Sequence, residues 1–442
     1  MGESLLLLLG VLIASTVHCL RFDYLPSHLW ILLFKGLLIV VICQLVFYYN
    51  DLYTLEATSC PLRLGLKLIQ SLGLASIMFG AICYLMPDVL TGRGALFSDI
   101  CVIGFVICCW RLFSRWLVNK NGLTQKILIM GSGHVAQDVA KEVLNRKNSG
   151  FEILGFVDRH PRKLNPQTLG TYDQLGQILK GNGQVRLVVA MDDRRGMLPL
   201  NELIACKMQG IAIEDHIPFL EKLTGKLMVE SLNPSHLIFS DGFKKSRIML
   251  FIRRVVELLL SSVLLIILMP FIALISVLIK VDSEGPLLFK QGRVGENGKG
   301  FNIYKFRSMT RDAEEESGPV WAQENDPRIT RVGKYLREFR LDEIPQLWNV
   351  LKGDMSFIGP RPERPCFVEE LTKRIPYYSQ RHSVKPGITG WAQIKYSYGA
   401  SVEDALEKLK YELYYIKNMS PFFDLFIILE TIKIVLFGRG AR

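Results

Sequence analysis

The sequence predicts a membrane-bound protein in which an N-terminal bundle of α-helices precedes two α/β domains. Three observations support this fold class. Four long apolar runs occupy the first quarter of the chain, a strand–glycine turn–helix pattern follows, and a fifth apolar run precedes a basic C-terminal region. With 49% hydrophobic and 21% charged residues, the chain cannot be intrinsically disordered. Its 53 lysines and arginines against 42 acidic residues give a net charge of +11, which suits nucleic acid, membrane lipid or a phosphorylated substrate.

Residues 1–122 are predicted to form four transmembrane helices. Each apolar run is close to or longer than the roughly 18–20 residues that cross a bilayer. A cleaved signal peptide is disfavoured because no basic segment precedes the first run. Basic residues follow the second and fourth runs, which indicates that both ends of the bundle and the chain after about residue 120 are cytoplasmic. The four runs are 5–20, 28–48, 68–86 and 95–118.

Residues 126–240 are predicted to form a Rossmann-like α/β domain. An apolar strand runs into Gly131-Ser-Gly-His-Val-Ala136 and then a helix, a turn that lets backbone approach a pyrophosphate in dinucleotide-binding proteins. A second strand ends at Asp158, close to where an acid that binds ribose would stand. A single GxGxxA turn also serves ordinary packing, so no cofactor is assigned to this domain.

A fifth apolar run, 256–279, is predicted to dip into the membrane and return to the same face. Basic residues flank it on both sides, whereas a crossing helix shows an asymmetry of charge. Crossing would also place the charged C-terminal region outside, away from cytoplasmic nucleotides. Pro270 lacks a backbone donor and clashes with the preceding turn, so we expect a helix break near the middle of a segment of about 250–280.

Two basic segments of the C-terminal region are candidates for binding phosphate. Residues 301–309 alternate as a strand does, which places Lys305 and Arg307 on one face. Two neighbouring cations suit a diphosphate, although a solvated edge strand would show the same pattern. A short helix is predicted next, with Arg337 and Arg340 three residues apart on its basic side.

This helix leads to two adjacent carboxylates, Asp342 and Glu343, which are the candidate catalytic residues. Asp342 could simply be the N-cap of the following helix, with Glu343 favouring its dipole. The surrounding cations favour a chemical role, as does a Pro-Arg361-Pro turn that would aim a guanidinium at phosphate oxygens. A carboxylate held ionised among cations can attack phosphorus to form an acyl phosphate. Mg²⁺ would bridge such carboxylates and a diphosphate.

Two apolar features of the C-terminal region have alternative interpretations. Trp391 could stack on uracil, line a lipid entrance or pack in the core. The run 420–437 could dock in the domain core or lie in the membrane interface.

The C-terminal motifs resemble those of the bacterial sugar transferases, which are monotopic polyprenyl-phosphate phosphoglycosyl transferases that initiate exopolysaccharide and O-antigen synthesis. The N-terminal spans and the Rossmann-like domain resemble the large form of this family. The family's re-entrant helix often has Ser before its proline, where this sequence has Met269. The chain end further resembles the exopolysaccharide transferases found beside PEP-CTERM sorting systems. The matching motifs are 285–291, 305–309, 341–346, 359–362 and 385–394, and for the last resemblance 414–420 and 438–442.

The resemblance implies an enzyme whose catalytic domain, 245–442, follows the re-entrant helix. Asp342 would attack the β-phosphate of a UDP-sugar, release UMP and carry a phosphosugar that polyprenyl (undecaprenyl) phosphate then accepts. Glu343 would assist deprotonation of the lipid phosphate or position Mg²⁺, and Arg361 would hold a substrate phosphate. The basic strand with Lys305 matches the family's own.

The resemblance also implies a multi-pass protein of the bacterial inner membrane whose catalytic domain faces the cytoplasm and contacts the lipid bilayer. The alternative is a membrane-anchored regulator or scaffold in which the middle domain senses a nucleotide and the C-terminal domain is inert. Nucleic-acid binding is not expected because no basic surface with interleaved aromatics occurs on a recognised module. A homo-oligomer and the identity of the sugar are left open.

Overall fold

The computed structural model describes residues 29–52, 61–85, 102, 105–111, 113, 124–146, 150–159, 167–181, 185–193, 198–231, 242–243, 245–310, 328–396, 399 and 401–436. It divides into two units, Met1–Glu214 and Asp215–Arg442. The domain bounds expected from the sequence, 1–122, 126–240 and 245–442, stay a prediction, and residues 232–241 lie outside the described part of the chain. The first apolar run, 5–20, and most of the fourth lie outside the described residues.

The second and third apolar runs form helices α1 (Leu29–Tyr49) and α2 (Pro61–Leu85). The two helices pack through a shared apolar cluster that includes Phe47 and Phe79. Among the described residues of this region, only Gly65–Ile82 is long and apolar enough to cross a membrane by length and composition. That all four runs cross the membrane stays a prediction.

A five-stranded sheet follows, formed by β1 (Gln125–Met130), β2 (Phe151–Val157), β3 (Thr168–Gly170), β4 (Val185–Val189) and β5 (Ala212–Asp215) in the order β3-β2-β1-β4-β5. Strand β1 pairs in parallel with β2 and β4, and β2 pairs in parallel with β3. At the end of β1, Gly131 has a φ of +115°, and a Cβ there would lie 2.4 Å from the carbonyl oxygen of Ala190. The expected parallel α/β sheet is therefore confirmed. The helices between these strands are α3 (His134–Asn145), α4 (Leu175–Gly181) and α5 (Leu200–Met208).

The second unit begins with helix α6 (His216–Thr224), which packs against helix α12 (Val402–Lys417). Lys417 donates to Glu221 at 2.6 Å, and Lys226 donates to Glu407 at 2.7 Å. These side-chain pairs hold α6 and the residues after it to α12 within the second unit.

The long helix α7 (Arg247–Asp282) has 36 residues and contains Pro270 without ending there. The sequence predicted a helix break at Pro270, but the helix continues through this residue. Its mean hydropathy qualifies it as a candidate span. Around the proline, apolar side chains are exposed, with Ile266 at 68% and Met269 at 63%. The return of the chain to the same membrane face stays a prediction.

Both halves of α7 contact the rest of the second unit. Before the proline, Arg254 donates to the carbonyl oxygens of Val350 and Leu351 at 2.7 and 2.8 Å. After it, Ile275 and Ile279 pack in a buried cluster. The other members of that cluster include Phe306 and Leu336.

The remaining elements form a small α/β fold. Strands β6 (Leu288–Val294) and β7 (Gly300–Phe306) form an antiparallel hairpin, and β8 (Ser356–Ile358) pairs in parallel with β9 (Gly387–Thr389). The largest apolar core gathers around α12, with Leu409 and Tyr415 almost fully buried. The remaining helices are α8 (Arg331–Glu338), α9 (Gln346–Lys352), α10 (Pro365–Arg374), α11 (Trp391–Lys395) and α13 (Pro421–Leu436).

Helix α13 corresponds to the apolar run 420–437 and has features of both interpretations. Ile427 is fully buried in the core. On another side of the helix, Phe422 is 86% exposed. One side of α13 therefore docks in the domain, while its first turn presents a large aromatic side chain outward.

Candidate active site

The carboxylate pair lies in a single helical turn between α8 and α9. Helix α8 begins where the Thr330 hydroxyl accepts from the N–H of Gly333 at 2.9 Å, as an N-cap does. It ends before Arg340, which adopts a left-handed conformation with φ 54° and ψ 23°. This reversal leads into the 3₁₀ turn Leu341–Glu343. The N-cap of α9 is Pro345, so the expectation that Asp342 caps the following helix is wrong.

Lys305 and Arg361 reach this turn from two different elements. The Lys305 ammonium, on β7, lies 3.0 Å from Glu343 Oε1 and 3.9 Å from Asp342 Oδ2. The Arg361 guanidinium, on the turn after β8, lies 3.0 Å from the same Glu343 oxygen. Asp342 is buried, with 8% of its surface exposed. Four of the predicted site residues therefore converge in one place.

The two carboxylates differ in their electrostatics. Burial alone would raise the pKa of Glu343, but Lys305 and Arg361 outweigh it and hold that pKa well below its ordinary value. For Asp342 burial is the largest influence, and it raises the pKa above the ordinary value despite the opposing effect of Lys305. The cations thus keep Glu343 ionised, whereas Asp342 is the more basic of the pair.

Arg337 and Arg340 flank the turn and are half-buried. Their positive charges act on different carboxylates: Arg337 lowers the pKa of Asp342, and Arg340 lowers that of Glu343. Both arginines therefore stand close enough to contribute to the field of the site.

Arg307 does not join Lys305 at the carboxylates. Strand β7 ends at Phe306, so the alternation that would place both cations on one face does not continue. The buried Arg307 guanidinium donates to the carbonyl oxygens of Ser283 and Glu284 at 2.7 and 2.9 Å. It fixes the turn after α7, and the prediction that it binds substrate has no support in these contacts.

Trp391 lies in the apolar core. Its indole N–H donates to the carbonyl oxygen of Gly225 at 2.8 Å, and its ring packs edge-on against Phe423 with centroids 5.1 Å apart. With its N–H satisfied and its ring buried, it is not available to stack on a base or to line a lipid entrance. Core packing is therefore the correct interpretation.

Asn349 was not singled out from the sequence, yet it connects the two sides of the site. Its fully buried amide accepts from the N–H of Tyr304 at 3.1 Å and donates to the carbonyl oxygen of Asn302 at 2.7 Å. These bonds join α9, which follows the carboxylate pair, to the strand that carries Lys305. An asparagine within an apolar helix pattern was the available signal.

A metal site must be judged by the side chains that could ligate it. No group of three or more His, Cys, Asp or Glu side chains suited to a metal occurs among the residues that the structure describes. Mg²⁺ commonly uses one or two carboxylates together with substrate phosphates. Asp342 and Glu343 fit that donor set, and no other ligands from the chain are required.

The glycine-rich turn of the first unit does not fit a dinucleotide. After β4, the Asp192 carboxylate accepts from the N–H groups of His134 and Val135, at 3.1 and 3.0 Å, at the start of α3. A Cβ at Gly133 would lie 1.9 Å from an oxygen of this carboxylate. The donors that would bind a pyrophosphate already have an anionic partner within the chain.

Asp158, the acid expected to bind ribose, is also engaged. It accepts from the Ser132 hydroxyl and, at 3.2 Å, from the Tyr172 hydroxyl. Burial and the neighbouring Asp158 raise the pKa of Tyr172 to about 12, so the phenol stays protonated and remains a donor.

Comparison with known proteins agrees with the C-terminal motifs. The model of the bacterial sugar transferase family matches residues 248–438. A UDP-N-acetylgalactosamine-undecaprenyl-phosphate N-acetylgalactosaminephosphotransferase of Aeromonas hydrophila is 42% identical over 240 residues, which cover 54% of this chain and 56% of that protein. The UDP-glucose:undecaprenyl-phosphate glucose-1-phosphate transferase of Escherichia coli (strain K12) is 32% identical over 340 residues, which cover 75% of this chain and 72% of that protein.

A third relative extends the similarity beyond the matched family segment. The undecaprenyl-phosphate glucose phosphotransferase of Komagataeibacter xylinus is 33% identical over 327 residues, which cover 72% of this chain and 60% of that protein. The chain thus spans little more than half the length of two of these three relatives. On the family match and the extent of these similarities, the chain belongs to the bacterial sugar transferase family.

Proposed function

We propose that the protein transfers a hexose-1-phosphate from a UDP-sugar to polyprenyl phosphate and releases UMP. The observation that carries the proposal is the pairing of a buried, more basic Asp342 with an ionised Glu343 beneath two cations. The names of the three relatives, which include undecaprenyl phosphate and a sugar phosphotransferase activity, support the same substrates.

Asp342 is proposed as the nucleophile. A carboxylate oxygen attacks the β-phosphorus of the UDP-sugar, and the bond from that phosphorus to the α–β bridging oxygen breaks. UMP leaves with the bonding electrons, and a phosphosugar remains on Asp342 as an acyl phosphate. A phosphate oxygen of the lipid then attacks the same phosphorus and expels the carboxylate, which yields polyprenyl-diphospho-sugar. Burial favours this role because a more basic carboxylate is a stronger nucleophile once ionised.

Glu343 is proposed to hold the cations in place. Its carboxylate contacts both Lys305 and Arg361, each at 3.0 Å. Lys305 and Arg361 would then donate to oxygens of the diphosphate and stabilise the charge that grows on the departing UMP. Arg337 and Arg340 add positive potential from the other side of the turn.

Asp342 and Glu343 are the residues that would hold Mg²⁺ together with substrate phosphate. When bound, the ion would neutralise negative charge on the diphosphate. With these two carboxylates and the substrate phosphate, Mg²⁺ needs no further ligand from the protein.

We also propose that α7 is re-entrant and that the second unit lies on the cytoplasmic side of an inner membrane. Contacts on both sides of Pro270 support this path, because Arg254 binds to α9 while Ile279 packs beside Phe306 within the same small fold. A straight helix rising 1.5 Å per residue would carry its second half away from contacts made by its first. The exposed apolar side chains around the proline suit lipid.

The sheet of the first unit is proposed to be Rossmann-like. Its order β3-β2-β1-β4-β5 is the order of the first five strands in that fold. We assign it no dinucleotide because Asp192 occupies the donors at the start of α3.

The proposal is tested by assaying UMP release from a panel of UDP-sugars with undecaprenyl phosphate. Asp342→Asn should abolish release, and Glu343→Gln should impair it. Incubation with UDP-sugar alone should leave a phosphosugar adduct on Asp342 that mass spectrometry locates. Glu338→Gln, an exposed carboxylate on α8, is the control and should behave as wild type.

Two outcomes would contradict the proposal in different ways. UMP release that persists in Asp342→Asn excludes covalent catalysis by this residue. A wild-type protein that releases UMP from no UDP-sugar in the panel would favour the alternative of a membrane-anchored regulator or scaffold.

A further inference from the structure

Three guanidinium groups donate hydrogen bonds to the backbone of the turn that carries Arg361 or of its neighbouring residues. Each donates to a backbone carbonyl oxygen in or beside the turn, and each is also paired with a carboxylate. Arg253 donates to the carbonyl oxygen of Ile358 at 2.5 Å and pairs with Glu257 at 3.2 Å. Arg293 donates to the carbonyl oxygen of Pro362 at 3.0 Å and pairs with Glu363 at 3.7 Å. Arg381 donates to the carbonyl oxygen of Arg361 at 2.9 Å and pairs with Glu412 at 2.6 Å.

Of the three, Arg381 binds the residue whose side chain enters the site. It is 4% exposed. Its Nε and Nη2 donate to the two oxygens of Glu412 at 2.8 and 2.6 Å, while Nη1 donates to the Tyr378 hydroxyl at 3.1 Å. The second hydrogen of Nη2 is directed to the carbonyl oxygen of Arg361. Four of the five N–H groups of the planar guanidinium thus have an acceptor, which fixes the position of that carbonyl.

The position of the Arg361 backbone matters because its side chain must meet two partners at once. The guanidinium lies 3.0 Å from Glu343 and, under the proposed function, also binds a phosphate of the donor. A displacement of about 1 Å at such a group can cost about a hundredfold in rate. Proline on each side restricts the local dihedral angles, but it does not place the turn relative to the carboxylates.

We propose that Arg381, held by Glu412, is a positioning residue that sets the Arg361 guanidinium for binding the donor phosphate. The inference rests on the proposed function of the site. The hydrogen bonds of Arg381 go to Glu412, Tyr378 and the Arg361 carbonyl rather than to the carboxylate pair. A lysine in its place would keep a positive charge near Glu412, but it cannot form the fork and the bond to the Arg361 carbonyl in one fixed plane.

The test compares Arg381→Lys, Arg361→Ala and the double variant in the full-length protein. We expect Arg381→Lys to raise the KM for UDP-sugar about tenfold, since the donor phosphate loses a well-placed partner. If Arg381 acts through Arg361, the double variant should have the KM of Arg361→Ala alone. If the increases in KM of the two single variants instead multiply in the double variant, the proposal is wrong.

A purely structural role is distinguished by separate measurements. Arg374→Lys, in an exposed ion pair with Glu370 at 3.0 Å, is the matched control and should leave KM unchanged. If Arg381→Lys lowered Tm and the amount of active enzyme while KM stayed at the wild-type value, the residue would only stabilise the fold, and the proposal would be wrong.

Hydrogen exchange separates this inference from the proposed function. Exchange of the amides in a peptide covering 357–364 should become faster in Arg381→Lys than in Arg374→Lys, whether or not the wild-type protein releases UMP. Unchanged exchange would refute the positioning role alone. If exchange is faster in Arg381→Lys but the wild-type protein has no transferase activity, the assigned reaction is refuted, whereas the role of Arg381 in positioning Arg361 is not.

Discussion

Replacing Asn349 should loosen the strand that carries Lys305. Among the described residues, no strand pairs with the second edge of β7 in the hairpin of β6 and β7, and the Asn349 amide covers that edge. In Asn349→Ala, the partly buried N–H of Tyr304 and carbonyl of Asn302 would both lose their partner. Because a hydrogen bond contributes about 0.5–1.5 kcal/mol net and water can reach these partly buried groups, we expect the loss of both bonds to destabilise the protein by about 1–3 kcal/mol.

A second variant tests the direction of these bonds. Asn349→Asp keeps an acceptor for the Tyr304 N–H, but it places a carboxylate oxygen opposite the Asn302 carbonyl oxygen at a fully buried position, so its loss of stability at neutral pH should be at least as large as that of Asn349→Ala. Both variants should also slow UMP release, since Lys305 directly follows Tyr304 and lies 3.0 Å from Glu343.

The assay is hydrogen exchange of a peptide covering 300–306. A loss of 2 kcal/mol corresponds to about 30-fold faster exchange through local opening. Asn418→Ala is the control, because the Asn418 amide donates at 3.0 Å to an exposed helix-end carbonyl and its removal should leave the strand unaffected. Exchange in Asn349→Ala within threefold of the wild-type rate would refute the reasoning.

Three further predictions address other parts of the chain. Burial and the neighbouring Arg381 lower the pKa of His382 from 6.5 to about 4. Between these pH values the unfolded chain binds a proton at His382 that the folded protein does not bind. The stability present above pH 6.5 is therefore lost as the pH falls toward 4. His382→Gln should therefore flatten the fall of Tm between these values, whereas parallel curves would contradict it. A fluorescence titration with NADH should show no saturable binding, because Asp192 occupies the helix donors; saturation would show that this carboxylate is displaced. Trp391→Phe should cost about 1 kcal/mol through the lost bond to Gly225 and leave the KM for UDP-sugar unchanged, so a raised KM would contradict core placement.

The convergence of Asp342, Glu343, Lys305 and Arg361 could be anticipated because their motifs carry charge at close spacing. Arg307 could not be separated from Lys305 by the same logic. Strand alternation predicts which side a residue faces, but it does not say where the strand ends, and β7 ends one residue too early. The same limit applies to Asp342, whose expected capping role depended on where α9 begins.

Contacts between distant segments lay beyond the sequence patterns. Trp391 donates a hydrogen bond to Gly225, which lies 166 residues earlier in the chain. Lys417 on α12 pairs with Glu221 on α6, and these two residues are 196 positions apart. No local periodicity encodes such pairs. Arg381 was missed for the same reason, since its role depends on meeting Glu412 and the Arg361 carbonyl in three dimensions.

The internal use of arginine bears on how the protein attracts its charged substrate. Among the described residues of the second unit, at least five guanidinium groups donate to backbone carbonyls and are therefore held inside the fold, where they cannot also meet a substrate. Exposed charges are screened within about 8 Å at physiological ionic strength. Because this screening limits the reach of distant charges, the ionic-strength dependence of nucleotide capture should follow the cations around Asp342 and Glu343 rather than the formal +11 of the whole chain. The five are Arg253, Arg254, Arg293, Arg307 and Arg381.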